Sequence, residues 1–479
     1  MGVITKITKG TVIRNKLVKL GKDVSIYSIG DMFAKGINFF SVLIYSRLLT
    51  ESEVGAYGYL AALIAFFVGT FSLGTENAYA RYFFQYKTEQ EKEELTTTLL
   101  TFIGFFTITV SVVLLFYSRE ITLFLFDSDK DQFAIIFATL AIPLRILSNI
   151  LNQVLRNQYK TKTFTAINAV TTVLNFVFMT LLLLYTSLGI ISFFLAIFLS
   201  FLAMLPVRFY YVREYMKRPS IQFKFLKPVL LFGLPFVPTL VIHWVLGFMD
   251  RMMLKEMMSL KEVGIYTIAS SMSTIIVIFS NAVGQAWSPH SIEAYENNKE
   301  EAFLLYKKFL LILMAIGGGF VLFMALCGKE LIMLFFEEKY YTAFMPFLIL
   351  MSGLSFQMTN QVTALGISLK KKTLYFFYVS FVAAIVNITM NWLLIPMFNE
   401  LGAAIATSVS YLIITNIYMF ISGKLIPIQF NKSYIGLYAC FILIALALTA
   451  LDMEMRLLLF LGTSIYLFLI RKKIILRLL

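Results

Sequence analysis

Long runs of uncharged, mostly apolar residues alternate along the chain with short segments that hold nearly all of its charges. A helix that crosses a bilayer needs roughly 20 apolar residues, so each run of about that length predicts one spanning helix. Nine such runs contain no Asp, Glu, Lys or Arg, and they occupy residues 54–75, 95–118, 228–249, 263–292, 309–328, 340–369, 373–399, 401–423 and 433–451.

The other predicted helices lie in runs that few charges interrupt. Residues 163–207 are long enough for two helices, with a turn near Ser187-Leu188-Gly189. One helix each is predicted in 132–155, which is apolar apart from Arg145, and in 24–46, which is apolar apart from Asp31 and Lys35. A last helix is predicted in 457–470, a short run flanked by Arg456 and Arg471. Long basic side chains can extend from a helix end to the membrane surface, which allows a short span. The pattern therefore predicts an all-α polytopic membrane protein with 14 transmembrane helices.

Composition supports a membrane protein and excludes several other classes. Hydrophobic residues make up 59% of the 479 residues and charged residues 14%, against roughly 25% charged residues in soluble domains. This balance excludes a soluble enzyme, a secreted disulfide scaffold and a disordered chain. The two cysteines, Cys327 and Cys440, lie inside apolar runs without metal-binding spacing, so we expect no metal and no cofactor.

The distribution of positive charge predicts the orientation in the membrane. With the N-terminus placed in the cytoplasm, 30 of the 41 Lys and Arg residues fall in inner segments, among them the loop 208–227, and 9 fall in outer segments. This bias predicts that both termini are cytoplasmic. Residues 1–23 interleave Lys and Arg with Ile and Leu, which predicts an amphipathic segment on the cytoplasmic membrane surface, next to anionic lipid. In a membrane protein the basic excess does not indicate nucleic acid.

The two halves of the chain resemble each other at a shift of 209 residues. Glu53-Val54-Gly55-Ala56-Tyr57 returns as Glu262-Val263-Gly264-Ile265-Tyr266. This repeat indicates a duplicated six-helix unit whose copies are related by an axis along the membrane normal, with a central cavity. The predicted organisation has five parts. They are an amphipathic segment (1–23), an N-lobe with helices 1–6 (24–212), a cytoplasmic linker (213–226), a C-lobe with helices 7–12 (227–423), and helices 13–14 with a basic tail (424–479).

Charges inside predicted spans are candidates for substrate or ion contacts, because burying them in lipid costs several kcal/mol. Asp31 and Lys35 lie one helical turn apart, so they either neutralise each other, or Lys35 meets an anionic headgroup while Asp31 holds a coupling proton or sodium ion. Arg145 is the lone charge of its span. Arg suits bidentate contact with phosphate, and the alternative is an Arg bonded to backbone carbonyls or extending outward.

Further candidates lie at the predicted ends of spans. Arg47 and Arg251 end the first helix of each half at the predicted outer side. They are either a pair of cationic gates, to which Asp250 belongs, or ordinary interfacial residues. In the second case Asp250 is the salt-bridge partner of Arg251. Arg81 follows helix 2 on the cytoplasmic side, where it either contacts an anionic group at the inner leaflet or anchors the loop. Trp287 is a candidate for stacking on a ligand ring or for an interfacial anchor.

Several motifs together resemble the bacterial polysaccharide flippases, the Wzx-type O-antigen and capsule exporters of the MOP superfamily. In the second half they are Phe232-Gly233-Leu234-Pro235-Phe236-Val237-Pro238, Asp250-Arg251, Glu262-Val263-Gly264-Ile265-Tyr266 and Gln285-Ala286-Trp287-Ser288-Pro289. In the first half they are Ser46-Arg47-Leu48-Leu49, Gly55, Tyr57, Gly58, Gly74 and Arg81-Tyr82-Phe83. The resemblance covers helices 1 to 12.

This resemblance implies a transporter rather than an enzyme. The implied function is export of a polyprenyl-diphosphate-linked glycan from the inner to the outer leaflet of the bacterial cytoplasmic membrane, for surface polysaccharide such as lipopolysaccharide O-antigen. Lys35, Arg145 and Arg81 would line a cationic cavity, and a complex with a polysaccharide polymerase is a further candidate partner. Gly233, Pro235 and Pro238 would form a hinge for alternating access, the alternative being a static proline kink.

Three other functions compete with this one. A drug or cation antiporter of the MATE branch of the same superfamily typically has 12 helices and favours acidic cavity residues, whereas the predicted spans here contain two cations and one acid. A lipid-II-type flippase is a near relative. A membrane glycosyltransferase or polymerase usually places acidic catalytic residues in a large outer loop, and all predicted outer loops here are short.

Overall fold

The computed structural model describes residues 26, 29–216, 218–428, 432–456 and 458–459, and all of the regular secondary structure in these residues is helical. The predicted all-α class is therefore confirmed for the described part of the chain. The amphipathic segment predicted at 1–23 and most of the helix predicted at 457–470 lie outside the described residues.

The first half contains eight helices that precede the Phe-Gly-Leu-Pro motif. They are α1 (29–48), α2 (Glu51–Phe71), α3 (Thr75–Gln85), α4 (Glu89–Phe116), α5 (Ser118–Phe126), α6 (Gln132–Asn157), α7 (Thr161–Tyr185) and α8 (Ile191–Val212). Helices α7 and α8 are separated by a turn in which Gly189 has a φ of 52°, as the Ser187-Leu188-Gly189 sequence predicts. Thr88 starts α4 with a reciprocal capping box to Glu91.

The second half continues with nine helices and short 3₁₀ segments. The helices are α9 (Phe223–Gly233), α10 (Val237–Met257), α11 (Leu260–Asn297), α12 (Lys299–Phe335), α13 (Phe344–Met358), α14 (Asn360–Thr363), α15 (Leu365–Leu369), α16 (Leu374–Leu425) and α17 (Lys432–Ala447). The 3₁₀ segments are Arg213–Tyr215, Leu234–Phe236, Glu338–Ala343 and Leu448–Ala450.

Ten helical runs within the described residues are long and apolar enough to cross a membrane. The chain is thus a multi-pass membrane protein, and the count of 14 helices stays a prediction. One of the ten runs, α16, spans 52 residues and is interrupted at Asn399, where φ is 51° and ψ is −132°. The interruption divides α16 into two arms of about 25 residues, each long enough for one crossing. The sequence predicts two helices there, at 373–399 and 401–423.

Two compact units make up the structure. Unit 1 contains residues Met1–Leu48 and Leu60–Val241, and unit 2 contains Leu49–Tyr59 and Ile242–Leu479. The chain therefore passes from one unit to the other three times, between α1 and α2, within α2 and within α10. The first turns of α2 belong to unit 2, although their neighbours in sequence belong to unit 1. The predicted lobe boundaries stay a prediction.

The core of unit 1 forms where α6 packs against α8 and α4. Ile142, Ile146, Ile150 and Val154 recur every four residues along α6 and are all buried, so they form one apolar face of the helix. Buried Phe193 on α8 also packs edge-to-face against Tyr45 of α1, with ring centroids 5.3 Å apart. Helix α1 is thereby tied to the same core.

Helix α13 is the centre of unit 2, since it packs against α11, α12 and α16. A second apolar cluster brings α10, α15 and both arms of α16 together. Its buried members are Ile242, Leu246, Ala364, Ile367, Val379, Ala383, Ala384, Ile414 and Tyr418. This cluster supports one wall of the cavity described below.

Candidate functional site

Helices α2 and α11 cross near their first turns, and glycines allow their backbones to touch. A Cβ atom on Gly55 would overlap the carbonyl oxygen of Leu260, and a Cβ atom on Gly264 would overlap the carbonyl oxygen of Glu51. Each glycine therefore meets the carbonyl four residues before the other. This reciprocal contact joins positions that the repeat equates at a shift of 209 residues, and it is a local two-fold relationship inside unit 2.

The same equivalence extends along both helices. A Cβ atom on Gly58 would overlap the hydroxyl of Thr267, which is its counterpart at the shift of 209. Thr50 and Glu53 form a capping box at the start of α2, with Thr50 N 2.9 Å from a carboxylate oxygen of Glu53. Ser259 caps α11, accepting from Lys261 N at 3.1 Å and donating to Glu262. Small residues at a crossing let membrane helices approach closely, so this crossing is a tight contact at the predicted outer side.

A cavity of about 550 Å³ lies in unit 2, at the end of α11 remote from the glycine crossing. Its walls come from the second half of α11, from α13 to α15 and from the two ends of α16. Carboxamides and hydroxyls dominate its polar lining, namely Asn281, Ser288, Ser291, Gln357, Asn360 and Gln361. Such groups both donate and accept hydrogen bonds, which suits a neutral, hydroxyl-rich ligand.

Several contacts hold the cavity walls in place. Trp287 Nε1 donates to the carbonyl oxygen of Gln361 at 3.1 Å, and the Trp287 ring stacks on Phe309 with centroids 3.8 Å apart. Only 6% of Trp287 is exposed, so the structure favours a wall role over stacking on a sugar. Asn360 Oδ1 accepts from Thr415 Oγ1 at 2.9 Å, which orients its amide. Gly284 allows the approach of α11, because a Cβ there would lie 2.6 Å from Gln361 Nε2.

Two opposite charges, Glu296 and Lys371, belong to the cavity lining. Both side chains are exposed. Lys371 lies in the turn between α15 and α16 with a φ of 56°, a conformation that non-glycine residues adopt at a cost of order 1–3 kcal/mol. Strain of this kind often lies at binding sites, and here it occurs at a cationic residue of the cavity edge.

Asp250 and Arg251, predicted as part of an outer gate, lie in a buried network of unit 2. They are 3% and 8% exposed. Arg251 Nη2 donates to Ser270 Oγ at 2.6 Å, and Arg251 Nη1 is 3.5 Å from Asp250 Oδ1. Tyr266 donates its hydroxyl proton to Asp250 Oδ2. The network links α10 to α11 one turn away from Thr267, next to the glycine crossing, and the gating role of both residues stays a prediction.

The charged residues predicted in α1 and α6 lie in unit 1. Lys35 Nζ is 2.9 Å from Asp31 Oδ2, with the two side chains 25% and 51% exposed, so the pair that the spacing allows does form. Arg47 is exposed at the end of α1, and Arg145 is half-buried in α6. Their substrate and gate roles stay predictions.

Arg81 lies beside the Phe-Gly-Leu-Pro motif in unit 1. Its guanidinium carbon is 4.7 Å from the centroid of the Phe232 ring, a cation–π contact, and the residue is exposed. Gly233 and Gly74 touch through their backbones in the same region, and a Cβ on Gly233 would lie 2.5 Å from Leu73 O. Gly74 itself has a φ of 66°, which glycine adopts readily.

The predicted hinge coincides with a break in the helix. Helix α9 ends at Gly233, the 3₁₀ segment Leu234–Phe236 contains Pro235, and α10 begins at Val237 immediately before Pro238. A 3₁₀ interruption inside a long span often marks a hinge. The chain passes from unit 1 to unit 2 after Val241, one turn beyond Pro238.

Sequence reasoning missed Arg208. The charge pattern assigns it to the loop 208–227, but α8 continues to Val212 and Arg208 is 1% exposed. The local signal favours the loop, because Pro206 precedes Arg208 and proline is a helix breaker, but Pro206 lies inside α8. In the described residues, no group of three or more His, Cys, Asp and Glu side chains is placed to hold a metal ion.

Comparison with protein families assigns the chain to one of them. The model of a family described as polysaccharide biosynthesis protein matches residues 20–294. Protein 1 of the Lsg locus of Haemophilus influenzae is 26% identical over 306 residues, which cover 62% of this chain and 72% of that protein. A membrane protein of Methanocaldococcus jannaschii is 29% identical over 203 residues, covering 40% of this chain and 38% of its own length.

Solved structures with the same fold are membrane transporters. The lipid II flippase MurJ in an inward closed conformation superimposes with a TM-score of 0.72 at 15% identity, covering 94% of this chain and 99% of MurJ. A multidrug resistance MATE family transporter of the MOP superfamily, in an inward-facing conformation, gives a TM-score of 0.65 at 14% identity, covering 85% and 95% of the two chains. At these identities the likeness establishes the fold.

Proposed function

Because this chain belongs to the polysaccharide biosynthesis protein family, and its fold is that of flippases and related transporters, we propose that it exports a lipid-diphosphate-linked oligosaccharide for surface polysaccharide synthesis. The movement is from the inner to the outer leaflet of the cytoplasmic membrane, by alternating access. The family match is the single observation on which this proposal rests. The polar cavity of unit 2 supplies the binding chemistry.

The cavity suits the glycan part of such a substrate. Sugar hydroxyls donate and accept, and the carboxamides of Gln357, Asn360 and Asn281 do the same without adding charge. Lys371 at the cavity edge offers a cation toward the diphosphate. In the predicted orientation the cavity lies in the cytoplasmic half of unit 2, where a substrate assembled at the inner leaflet enters.

The glycine crossing is the proposed outer gate of the transport cycle. It lies at the start of α11, and the cavity begins near Val277 on the same helix, about 20 Å further along at 1.5 Å per residue. In this proposal the crossing closes the outer side, and the cavity opens toward the inner side. Release of the glycan to the outside then requires α2 and α11 to separate.

The test uses purified protein in vesicles that contain a fluorescent short-chain polyprenyl diphosphate oligosaccharide. A membrane-impermeant reagent that quenches the outer leaflet measures movement between the leaflets. We expect protein-dependent movement that falls at least about tenfold, or ~1.4 kcal/mol, in the double variant Gln357→Ala/Asn360→Ala. Asn416→Ala, an exposed carboxamide on the same helix as Tyr418, is the matched control and should move the lipid normally.

Two results would overturn the proposal. One is movement of no glycan lipid by the wild-type protein, together with efflux of lipophilic cations driven by a proton or sodium gradient, which would assign the chain to the cation antiporters. The other is full activity of the double variant, which would show that the glycan does not bind in this cavity during transport.

A further inference from the structure

Arg208 is a fully buried cation held by neutral ligands inside unit 1. It lies on α8, four residues before the helix ends at Val212, and is 1% exposed. Its Nε donates to Asn152 Oδ1 of α6 at 3.3 Å, and its Nη2 donates to Asn168 Oδ1 and Thr171 Oγ1 of α7 at 3.2 and 2.9 Å. One guanidinium thus joins three helices without any carboxylate among these partners.

The other buried arginines in the described residues show what is different about Arg208. Arg251 has Asp250 beside it, and Arg456 donates from Nη2 to Glu330 at 2.6 Å and from Nη1 at 3.3 Å. Within the described part of the chain, no ion pair involves Arg208. Arginine stays protonated in proteins, so it cannot remove this charge by losing a proton.

One nitrogen of the Arg208 guanidinium has no hydrogen-bond acceptor in the described part of the protein. Nε and Nη2 make the three contacts above, whereas Nη1 is buried without an acceptor. Two hydroxyls of the same helix pair are also buried without a partner. They are Ser148 Oγ, four residues before Asn152 on α6, and Thr165 Oγ1, three residues before Asn168 on α7. Native proteins rarely leave such groups unpaired unless a ligand or water occupies the site.

Three cations lie at the end of unit 1 nearest to Arg208. Arg156, Lys160 and Arg213 occupy the adjacent ends of α6, α7 and α8. Acids lie near them as well: Glu214 is 3.8 Å from Lys160 Nζ, and Glu76 accepts a hydrogen bond from Asn149 of α6. Clustered cations raise the local concentration of anions. Arg208 precedes the last turn of α8, where the helix dipole acts most strongly, so this dipole does not neutralise the buried guanidinium.

We propose that unit 1 binds a small inorganic anion, the size of a halide, at Nη1 of Arg208 among α6, α7 and α8. The anion neutralises the guanidinium and completes its hydrogen bonding, and so it stabilises the packing of the three helices. The near-complete burial of Arg208 favours a monatomic anion over the phosphate of a lipid headgroup, which would need open access from the bilayer. The proposal is independent of the transported substrate.

The test is the unfolding temperature of the purified full-length protein in detergent at constant ionic strength and pH. Sodium chloride or sodium bromide replaces sodium gluconate, whose organic anion is much larger than a halide. We expect a saturable rise in Tm of at least about 3 °C for the wild-type protein, since a ligand that binds only the folded state stabilises it. Arg208→Lys should keep part of the halide response, and Arg208→Gln should lose it.

A matched control separates this site from general salt effects. Arg213→Gln removes an exposed charge from the 3₁₀ segment that follows the same helix, and its Tm should respond to halide as the wild type does. Bromide soaked into crystals should give an anomalous difference peak within hydrogen-bond distance of the Arg208 guanidinium. This second measurement keeps the proposal testable if Arg208→Gln does not fold.

Three outcomes would overturn the proposal. The first is a wild-type Tm that is equal in gluconate and halide, together with no bromide peak at Arg208. The second is an equal halide response in Arg208→Gln and the wild type. The third is stabilisation by phosphatidylglycerol but not by halide, lost in Arg208→Gln, which would replace the inorganic anion with a lipid phosphate.

Discussion

Gly55 and Gly264 lie face to face where the first turns of α2 and α11 cross, and each is closest to the carbonyl oxygen four residues before the other. No side chain fits between the two backbones. The predicted repeat aligns these two glycines at a shift of 209 residues, so the contact joins aligned positions of the two halves. If this contact is the outer gate of the proposed transport cycle, α2 and α11 separate when it opens.

Replacing either glycine with alanine should loosen the crossing. A Cβ on Gly264 overlaps the backbone of Glu51, and overpacking of this kind costs about 1–3 kcal/mol. Thermal unfolding of the purified Gly264→Ala variant measures this cost. Gly69→Ala is the control on α2, since no atom lies within 4 Å of its Cβ position, and it should be neutral or stabilise the helix by about 0.5–1 kcal/mol. Equal stability of Gly264→Ala and Gly69→Ala would contradict the close contact.

A disulfide across the crossing should lock the proposed gate. The Cβ position of Gly58 lies 3.2 Å from Thr267 Cβ, near the separation of about 3.5–4.5 Å that a disulfide needs. Gly58→Cys/Thr267→Cys, in a background without Cys327 and Cys440, should crosslink under oxidation and stop glycan-lipid movement. A reductant should restore the movement, and the two single variants are the controls. Full transport by the oxidised, fully crosslinked protein would show that this crossing does not open.

Straightening the interrupted helix should slow transport without preventing membrane insertion. Pro235 lies in the 3₁₀ segment between α9 and α10, and removing a proline there allows a continuous helix. We expect Pro235→Ala/Pro238→Ala to move the glycan lipid at least about tenfold more slowly, at ~1.4 kcal/mol. Pro228→Ala, in the middle of α9 and outside the 3₁₀ break, should transport normally. If the double variant moves the glycan lipid at the wild-type rate, the break between α9 and α10 is a static kink and not a hinge.

Arg145 provides a test of the predicted cationic cavity. If it contacts the diphosphate, Arg145→Ala should abolish export while the amount of protein in the membrane stays normal. Arg119→Ala is the control, because Arg119 is exposed and lies 3.7 Å from Asp129. Surface ion pairs of this kind contribute little to stability. Normal export by Arg145→Ala would assign this residue a structural role.

The membrane potential should drive export without a coupling ion. A lipid diphosphate carries about two negative charges, and an inside-negative potential moves them outward with a gain of roughly 4–5 kcal/mol per 100 mV if they cross the whole field. In vesicles with a potassium diffusion potential and no proton or sodium gradient, outward movement should rise with the potential, and it should persist in Asp31→Asn. A flat response to the potential, with strict dependence on a proton or sodium gradient, would move the driving role to an ion at Asp31.

Much of the architecture could be predicted because the signals are local. The length of an apolar run decides whether a helix can cross the bilayer, and this property is independent of what the helix later touches. The turn at Gly189 and the division of α16 at Asn399 were predicted in the same way, from short breaks between long apolar runs. The pairing of Lys35 with Asp31 also follows from spacing along one helix.

The sequence by itself determined an all-helical membrane protein with a repeated Glu-Val-Gly-x-Tyr motif, and it indicated which charges lie in apolar surroundings. Only the tertiary structure decided that Gly55 touches Gly264, that carboxamides from α11, α13 and α14 line one cavity, and that Arg208 joins Asn152 and Asn168. The contacts of Arg208 and of the glycine pair join residues that are 40 to 209 positions apart, whereas hydrophobic periodicity reports only on near neighbours along the chain. Lipid requires every spanning segment to be apolar, so apolarity identifies the spans without specifying which of their faces meet.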